Sequence, residues 1–250
     1  MYILIESLPD VSVVVPAYDE EGNISQVISE LLKVKETIPN MEIIVVDDYS
    51  SDGTVLKLSK FKSIILILHL KNMGKGAALR TGFKAAKGRV VVIQDADMEY
   101  FPGEIPNIVR PILSGKADVV YGSRFNSKPY GMSYMHFLGN MILSLVASLL
   151  YGKRITDIMT GYKAFSNEVL QSIELKENGF SVEVELTAQI LQNEWKFIEV
   201  PIGYTYRPNG ISKIQNIDGL KCFVRLFVNA LKENDRNRDN VRNSIHGGLS

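Results

Sequence analysis

The chain has 250 residues, of which 28 are basic, 28 are acidic and 46% are hydrophobic. That is enough for a full buried core, and too evenly charged for bulk nucleic-acid binding. The single cysteine, Cys222, excludes an internal disulfide and any all-cysteine metal site.

The N-terminus, MYILIESLPD, lacks a basic n-region and does not read as a signal peptide. Val11–Val15 reads as a strand of near-continuous apolar character, covered on both faces. Pro16 ends it, and Ala17–Asn23 is a polar loop. Ile24, Val27, Ile28, Leu31, Leu32 and Val34 recur at helical spacing, so a helix runs from Ile24 to about Thr37. Glu42–Val46 is the second strand, closed by Asp47-Asp48, and the polar turn Tyr49–Thr54 leads into a helix over Val55–Phe61. Ile64–Leu68 is the third strand. Asn72–Gly76 precedes a helix over Ala77–Ala86, stopped by Gly88. Val90–Gln94 is a buried strand rich in β-branched residues. A helix over Pro106–Leu113 and a strand over Asp118–Tyr121 follow.

This alternation predicts an α/β fold with a mostly parallel sheet and helices on both faces. Beyond Arg124 the pattern changes. Asn126–Tyr134 is a Gly/Pro/Ser loop, and a long helix spans about Tyr134–Tyr151. Its most apolar run, Phe137–Leu150, covers about 21 Å and falls short of a bilayer, so no stretch is expected to span one alone. Thr156–Lys163 is polar, Val182–Leu191 is helical, Phe197–Tyr206 alternates like a strand, and Ile214–Leu231 is helical. After Lys232 the chain is polar and reads as a frayed tail.

Four polar clusters follow apolar strands: Tyr18–Glu20, Asp47–Asp48, Asp95–Glu99 and Ser123–Arg124. In a parallel sheet such strand ends converge on one crevice. Asp95, Asp97 and Glu99 are the sharpest case. Anions so close need a bridging cation, and a hard divalent ion shared with a diphosphate supplies one. No G-x-G-x-x-G follows the first strand and no P-loop is present, which argues against a dinucleotide oxidoreductase and a P-loop ATPase. Asp48 and Glu20 can accept from ribose hydroxyls or a base N–H. Lys75, between Gly74 and Gly76, can reach a phosphate or a carboxylate.

The ordered set Pro16–Glu20 (PAYDE), Val46–Thr54 (VDDYSSDGT), Asn72–Gly82 (NMGKGAALRTG), Asp95–Glu99 (DADME), Gly122–Arg124 (GSR), Asp157–Lys163 (DIMTGYK) and Arg207–Lys213 (RPNGISK) resembles glycosyltransferase family 2. Within that family it is most similar to the synthases that load a sugar onto polyprenyl or dolichyl phosphate. The resemblance implies a nucleotide-sugar-binding, Rossmann-like GT-A domain with a mixed, mostly parallel central sheet. It would span residues 1–232, with a nucleotide-sugar half at 1–125, an acceptor half at 126–232 and a tail at 233–250.

The same resemblance implies that Pro16, Tyr18, Glu20, Asp48 and Asp95, with Lys75 nearby, hold the donor. It places Mg²⁺ or Mn²⁺ on Asp97 and Glu99, and the acceptor phosphate and donor diphosphate on Ser123, Arg124, Arg207 and Lys213. Asp97, Arg124 and Asp157 are the candidate catalytic residues, Asp157 as an orienting group or base. A single in-line displacement would invert the anomeric centre, with a UDP-sugar slightly favoured over GDP-mannose as donor. Two departures stand out. Tyr49 occupies a position where the family has glycine, which points to ordinary backbone angles there or to a ring set against the base. The arginine that relatives often carry in the next helix is replaced, with His136 and Asn140 the nearest candidates.

A polyprenyl acceptor implies contact with a membrane surface through the helices at 134–151 and 214–231. The expected location is peripheral, on the cytoplasmic face, held directly, through a small membrane-anchoring subunit or as a homo-oligomer. The alternative is a family 2 enzyme acting on a hydroxyl of a polysaccharide or glycan, with Asp157 as base. A non-catalytic nucleotide-sugar sensor is the reading from another class, and the intact carboxylates argue against it.

Overall fold

The computed structural model describes residues 8–125 and 134–205, together with 222, 224–226 and 228. Arg207, Lys213, the tail at 233–250 and most of the helix expected at 214–231 lie outside the described residues.

One seven-stranded sheet organises the chain. Its strands are β1 (Val11–Ala17), β2 (Met41–Asp47), β3 (Ile65–Leu68), β4 (Val90–Ile93), β5 (Val119–Ser123), β6 (Lys163–Ser166) and β7 (Phe197–Pro201). The spatial order is β3-β2-β1-β4-β6-β5-β7. All neighbours are parallel except β6, which runs antiparallel to both β4 and β5. The predicted mixed, mostly parallel α/β fold is therefore found. The seven described helices are α1 (Ile24–Thr37), α2 (Thr54–Leu58), α3 (Lys75–Ala85), α4 (Ile105–Leu113), α5 (Tyr134–Tyr151), α6 (Asn167–Ser172) and α7 (Val182–Leu191).

The alternating faces of β1 show why the strands are apolar throughout. Val11, Val13 and Val15 pack with Ile24, Val27, Ile28 and Leu31 of α1. Val14 points to the opposite layer with Leu79 of α3 and Val182, Val184 and Leu186 of α7. Gly82 lets α3 approach closely, since a Cβ there would meet Val14 Cγ1 at 2.3 Å. Pro16 is tolerated in a central strand because β4 pairs with β1 only as far as Val14, leaving that side of Pro16 without a ladder.

Boundaries differ from expectation by one or two residues at most elements, and β6, α6 and a 3-10 turn at Pro102–Glu104 are new. β6 was hidden because KAFS carries a charged first residue and only two apolar ones, inside a stretch that reads as polar. α6 follows it directly, capped by Ser166 Oγ, which accepts from Val169 N–H. The strand expected over Phe197–Tyr206 ends at Pro201. α5 runs over Tyr134–Tyr151, as predicted. Its 18 residues are, by length and composition, enough to cross a membrane, which corrects the expectation that no stretch is. It buries only Asn140, Leu143, Ser144 and Ala147.

Candidate active site

The parallel strands β1, β2, β4 and β5 deliver their carboxyl ends to one side of the sheet, where a crevice of about 330 Å³ opens. Pro16, Tyr18, Glu20, Asp48, Lys75, Asp95, Asp97, Glu99 and Arg124 all line it, as do Tyr100, Met159, Gly161, Phe180 and Glu183. Among the described residues the non-glycine positions with positive φ are Asp19 (46°), Tyr49 (68°) and Met98 (63°). Each lies just past a strand that feeds the crevice, so backbone strain collects around it. Tyr49 is thus left-handed, against the expectation of ordinary angles. It holds the conformation that glycine would adopt freely.

At the end of the crevice formed by β1 and β2 the carboxylates are already engaged. Asp48 accepts from the backbone N–H of Met73 (3.0 Å) and Gly74 (2.6 Å), and His69 Nδ1 lies 2.6 Å away. It fixes the turn that carries Lys75. That turn needs a glycine at position 74, where φ is +94° and a Cβ would fall 2.4 Å from Asn178 O. Glu20 Oε2 accepts from Asn23 Nδ2 at 3.0 Å.

In the middle of the crevice, Asp97 Oδ1 accepts from Glu99 N–H at 3.1 Å. Burial and the Glu99 carboxylate push the Tyr204 phenol up to about 12. Among the described residues no three His, Cys, Asp or Glu side chains close into a metal cage. Two protein carboxylates suit a divalent ion that takes its other ligands from substrate phosphates.

Lys75 reaches carboxylates rather than empty space. Its Nζ lies 2.7 Å from Asp95 Oδ1 and 2.9 Å from Glu183 Oε1. Burial alone would lower its pKa, but the two carboxylates more than offset that and hold it above the ordinary lysine value. Burial raises Asp95 against the pull of Lys75, and Asp97 and Glu183 add to the rise. Glu183 also pairs with the fully buried Lys163. Burial opposes its charge, yet the two lysines hold its carboxyl below the usual range. Glu183 was missed in the sequence, although two glutamates in the first turn of the largely buried VEVELTAQIL were the signal. Gly161 makes room for this cluster, as a Cβ there would lie 2.0 Å from Asp95 Oδ2. Gly161→Ala should lower stability by about 1–3 kcal/mol through overpacking, measured by urea unfolding; an unchanged midpoint would contradict this close packing.

At the carboxyl end of β5, Arg124 and Asp157 form a bidentate pair. Arg124 donates Nε to Oδ2 and Nη2 to Oδ1, both at 2.7 Å, and its backbone N–H to Oδ2 at 3.0 Å. Asn140 adds a fourth bond to Asp157 from Nδ2 at 2.6 Å. Asp157 is fully buried. Burial alone would lower the Arg124 pKa, but its neighbours, Tyr100 and Asp157 foremost, more than offset that and hold it above the ordinary arginine value. The guanidinium also lies 5.5 Å from the Tyr204 ring centre. Asn140 thus stands at the pair, whereas the His136 side chain is exposed. Ser123 departs from expectation. It is fully buried, bonds Thr156 Oγ1 at 2.7 Å and does not line the crevice, because the alternation of β5 points it inward.

Comparison with known proteins matches residues 12–174 to the family described as glycosyl transferase family 2. The polyprenol monophosphomannose synthase of Mycolicibacterium smegmatis is 32% identical, over 81% of this chain and 80% of that protein. The UDP-N-acetylglucosamine–dolichyl-phosphate N-acetylglucosaminyltransferase of Methanococcus voltae is 30% identical, over 86% of this chain and 94% of that protein. Among solved structures, glucosyl-3-phosphoglycerate synthase from Mycobacterium tuberculosis, in complex with Mn²⁺, UDP and phosphoglyceric acid, superposes with a TM-score of 0.70. It is 22% identical and covers 90% of this chain and 78% of its own. That structure corrects the expected location on the cytoplasmic face of a membrane, since the same fold there holds phosphoglyceric acid, a water-soluble molecule.

Proposed function

We propose, because this chain belongs to glycosyl transferase family 2, that it moves a hexosyl unit from a UDP-sugar to a hydroxyl of a small phosphate ester, with inversion. As a member of the family it is a metal-dependent glycosyltransferase with a nucleoside-diphosphate sugar as donor. Asp97 and Glu99 are the residues we assign to the Mg²⁺ or Mn²⁺, which would stabilise charge on the departing diphosphate. Pro16, Tyr18, Glu20, Asp48 and Asp95 are assigned to the nucleoside.

One observation carries the acceptor assignment. Arg124 pairs with Asp157 of the chain itself, so the end of the crevice assigned to the acceptor is charge-balanced and preorganised. Asp157 already accepts four hydrogen bonds, so we read it as orienting Arg124 and not as the base. A phosphate ester resolves this, because its own phosphate, with a second pKa of about 6, can take the hydroxyl proton as the oxygen bonds the anomeric carbon. Phosphoglyceric acid and glycerol 3-phosphate, held in the solved synthase structures, are acids of this kind.

A second reading has specific support. The relatives from Mycolicibacterium and Methanococcus are named for polyprenol and dolichyl phosphates. A phosphate oxygen is already anionic and needs no base, which also suits the engaged Asp157. Arg207 and Lys213 would serve the phosphate in either case. The test offers UDP-glucose, UDP-N-acetylglucosamine and GDP-mannose with Mn²⁺, against phosphoglyceric acid, glycerol 3-phosphate or a short polyprenyl phosphate in detergent. Transfer to a small phosphate ester, abolished by chelation, is the expected result. Transfer to the polyprenyl phosphate alone would establish the second reading.

A further inference from the structure

We infer that Arg225 is a positioning residue for the donor, acting through the loop at 174–181 that joins α6 to α7. The inference rests on the crevice being the nucleotide-sugar site. The loop brings Phe180 to the crevice wall and leads into the turn of α7 that carries Glu183. Little apolar packing holds it: Leu175 and Ser181 are buried, while Glu174, Lys176, Asn178 and Gly179 are exposed.

Its fastenings are polar. Glu185 Oε2 accepts from the backbone N–H of Lys176 at 3.0 Å and of Glu177 at 2.8 Å. Arg80 Nη1 donates to Glu177 O at 2.7 Å, and Gly76 N–H donates to Asn178 O at 2.7 Å. The loop thus sits on the first turn of α3, beside Lys75. The seat has no slack, since a Cβ on Gly76 would fall 2.1 Å from Glu177 O.

Arg225 closes the arrangement from outside. Its Nη2 bonds Glu177 Oε1 and lies 4.0 Å from Glu185 Oε1, so one guanidinium bridges two carboxylates. Without it, Glu177 and Glu185 confront each other as like charges at the point where the loop is fastened. The loop would then lift from α3, and Phe180 and the Lys75–Glu183 contact would move with it. The residue is remote from the reacting atoms, so donor binding should change and the chemical step should not.

The experiment measures UDP binding with Mn²⁺ by calorimetry, and KM and kcat for the donor. Arg225→Ala should weaken UDP binding and raise the donor KM about fivefold, the upper scale for a partly exposed ion pair, with kcat within about twofold of wild type. Arg225→Lys should keep most of the affinity. Adding Glu177→Gln to Arg225→Ala should restore binding, because it removes one of the two repelling charges; a purely structural loss would not be reversed by a second lesion. The donor KM of the unaltered chain should also rise with ionic strength, and less so in Arg225→Ala. Wild-type affinity in Arg225→Ala, or further loss in the double variant, would overturn the inference. Absence of UDP binding by the wild-type chain would overturn the crevice assignment as well.

Discussion

Asp97→Asn should reduce transfer by about three orders of magnitude, the scale of losing preorganised stabilisation at a departing group, while leaving the fold intact. The amide oxygen can still accept from Glu99 N–H, so the turn around Met98 keeps its hydrogen bond. The variant loses one of the two negative oxygen donors that a divalent cation would share with the diphosphate. The two effects separate cleanly: initial rates at saturating Mn²⁺ report the first, and the unfolding midpoint reports the second. A variant that retains more than about a tenth of the wild-type rate would remove Asp97 from the metal assignment and shift it toward Glu99 alone.

Asp157→Ala should cost about 3–5 kcal/mol of stability, the range for breaking one side of a buried ion pair. The size follows from what is stranded. Arg124 is 7% exposed and would keep its charge with no counter-ion, while Asn140 Nδ2 and the Arg124 backbone N–H would lose their acceptor. Asp157→Asn should cost less because it still accepts hydrogen bonds. A double-mutant cycle with Arg124→Met identifies the cause. If the pair carries the effect, the double variant is less destabilised than the sum of the singles. Additive losses would mean that Asp157 stabilises the fold by some route other than Arg124.

The sheet and the crevice were legible because strands that end in carboxylates leave a local trace: VVVIQDADME shows a buried run and its polar terminus in ten consecutive residues. What was less legible depends on contacts distant in sequence. Lys75 sits in a glycine turn and reads equally well as a phosphate or a carboxylate ligand. Its pairing with Glu183 requires α7 to lie across the start of α3, and no spacing encodes that. Ser123 shows the reverse error. Ser123 and Arg124 read as one polar cluster at a strand end, yet strand alternation sends them to different sides, Ser123 inward to Thr156 and Arg124 into the crevice. Asp48 reads as a free acceptor, whereas the nearby backbone N–H groups of Met73 and Gly74 claim its oxygens first.

The antiparallel strand β6 has a consequence for how the chain assembles. It wedges between β4 and β5, pairing Val92 with Ala164 on one side and Val119 with Phe165 on the other. Among the described residues up to 125 there are therefore five strands whose sheet cannot close, because β4 and β5 both wait for β6 at Lys163–Ser166. As the chain emerges from the ribosome, its first half must hold two open edges until β6 arrives, which makes folding slow relative to a strictly sequential sheet and exposes the nascent chain to mispairing. A fragment cut at residue 125 would expose the same edges permanently. The sheet therefore draws on both halves of the chain, with β6 and β7 pairing along edges that the first five strands leave open.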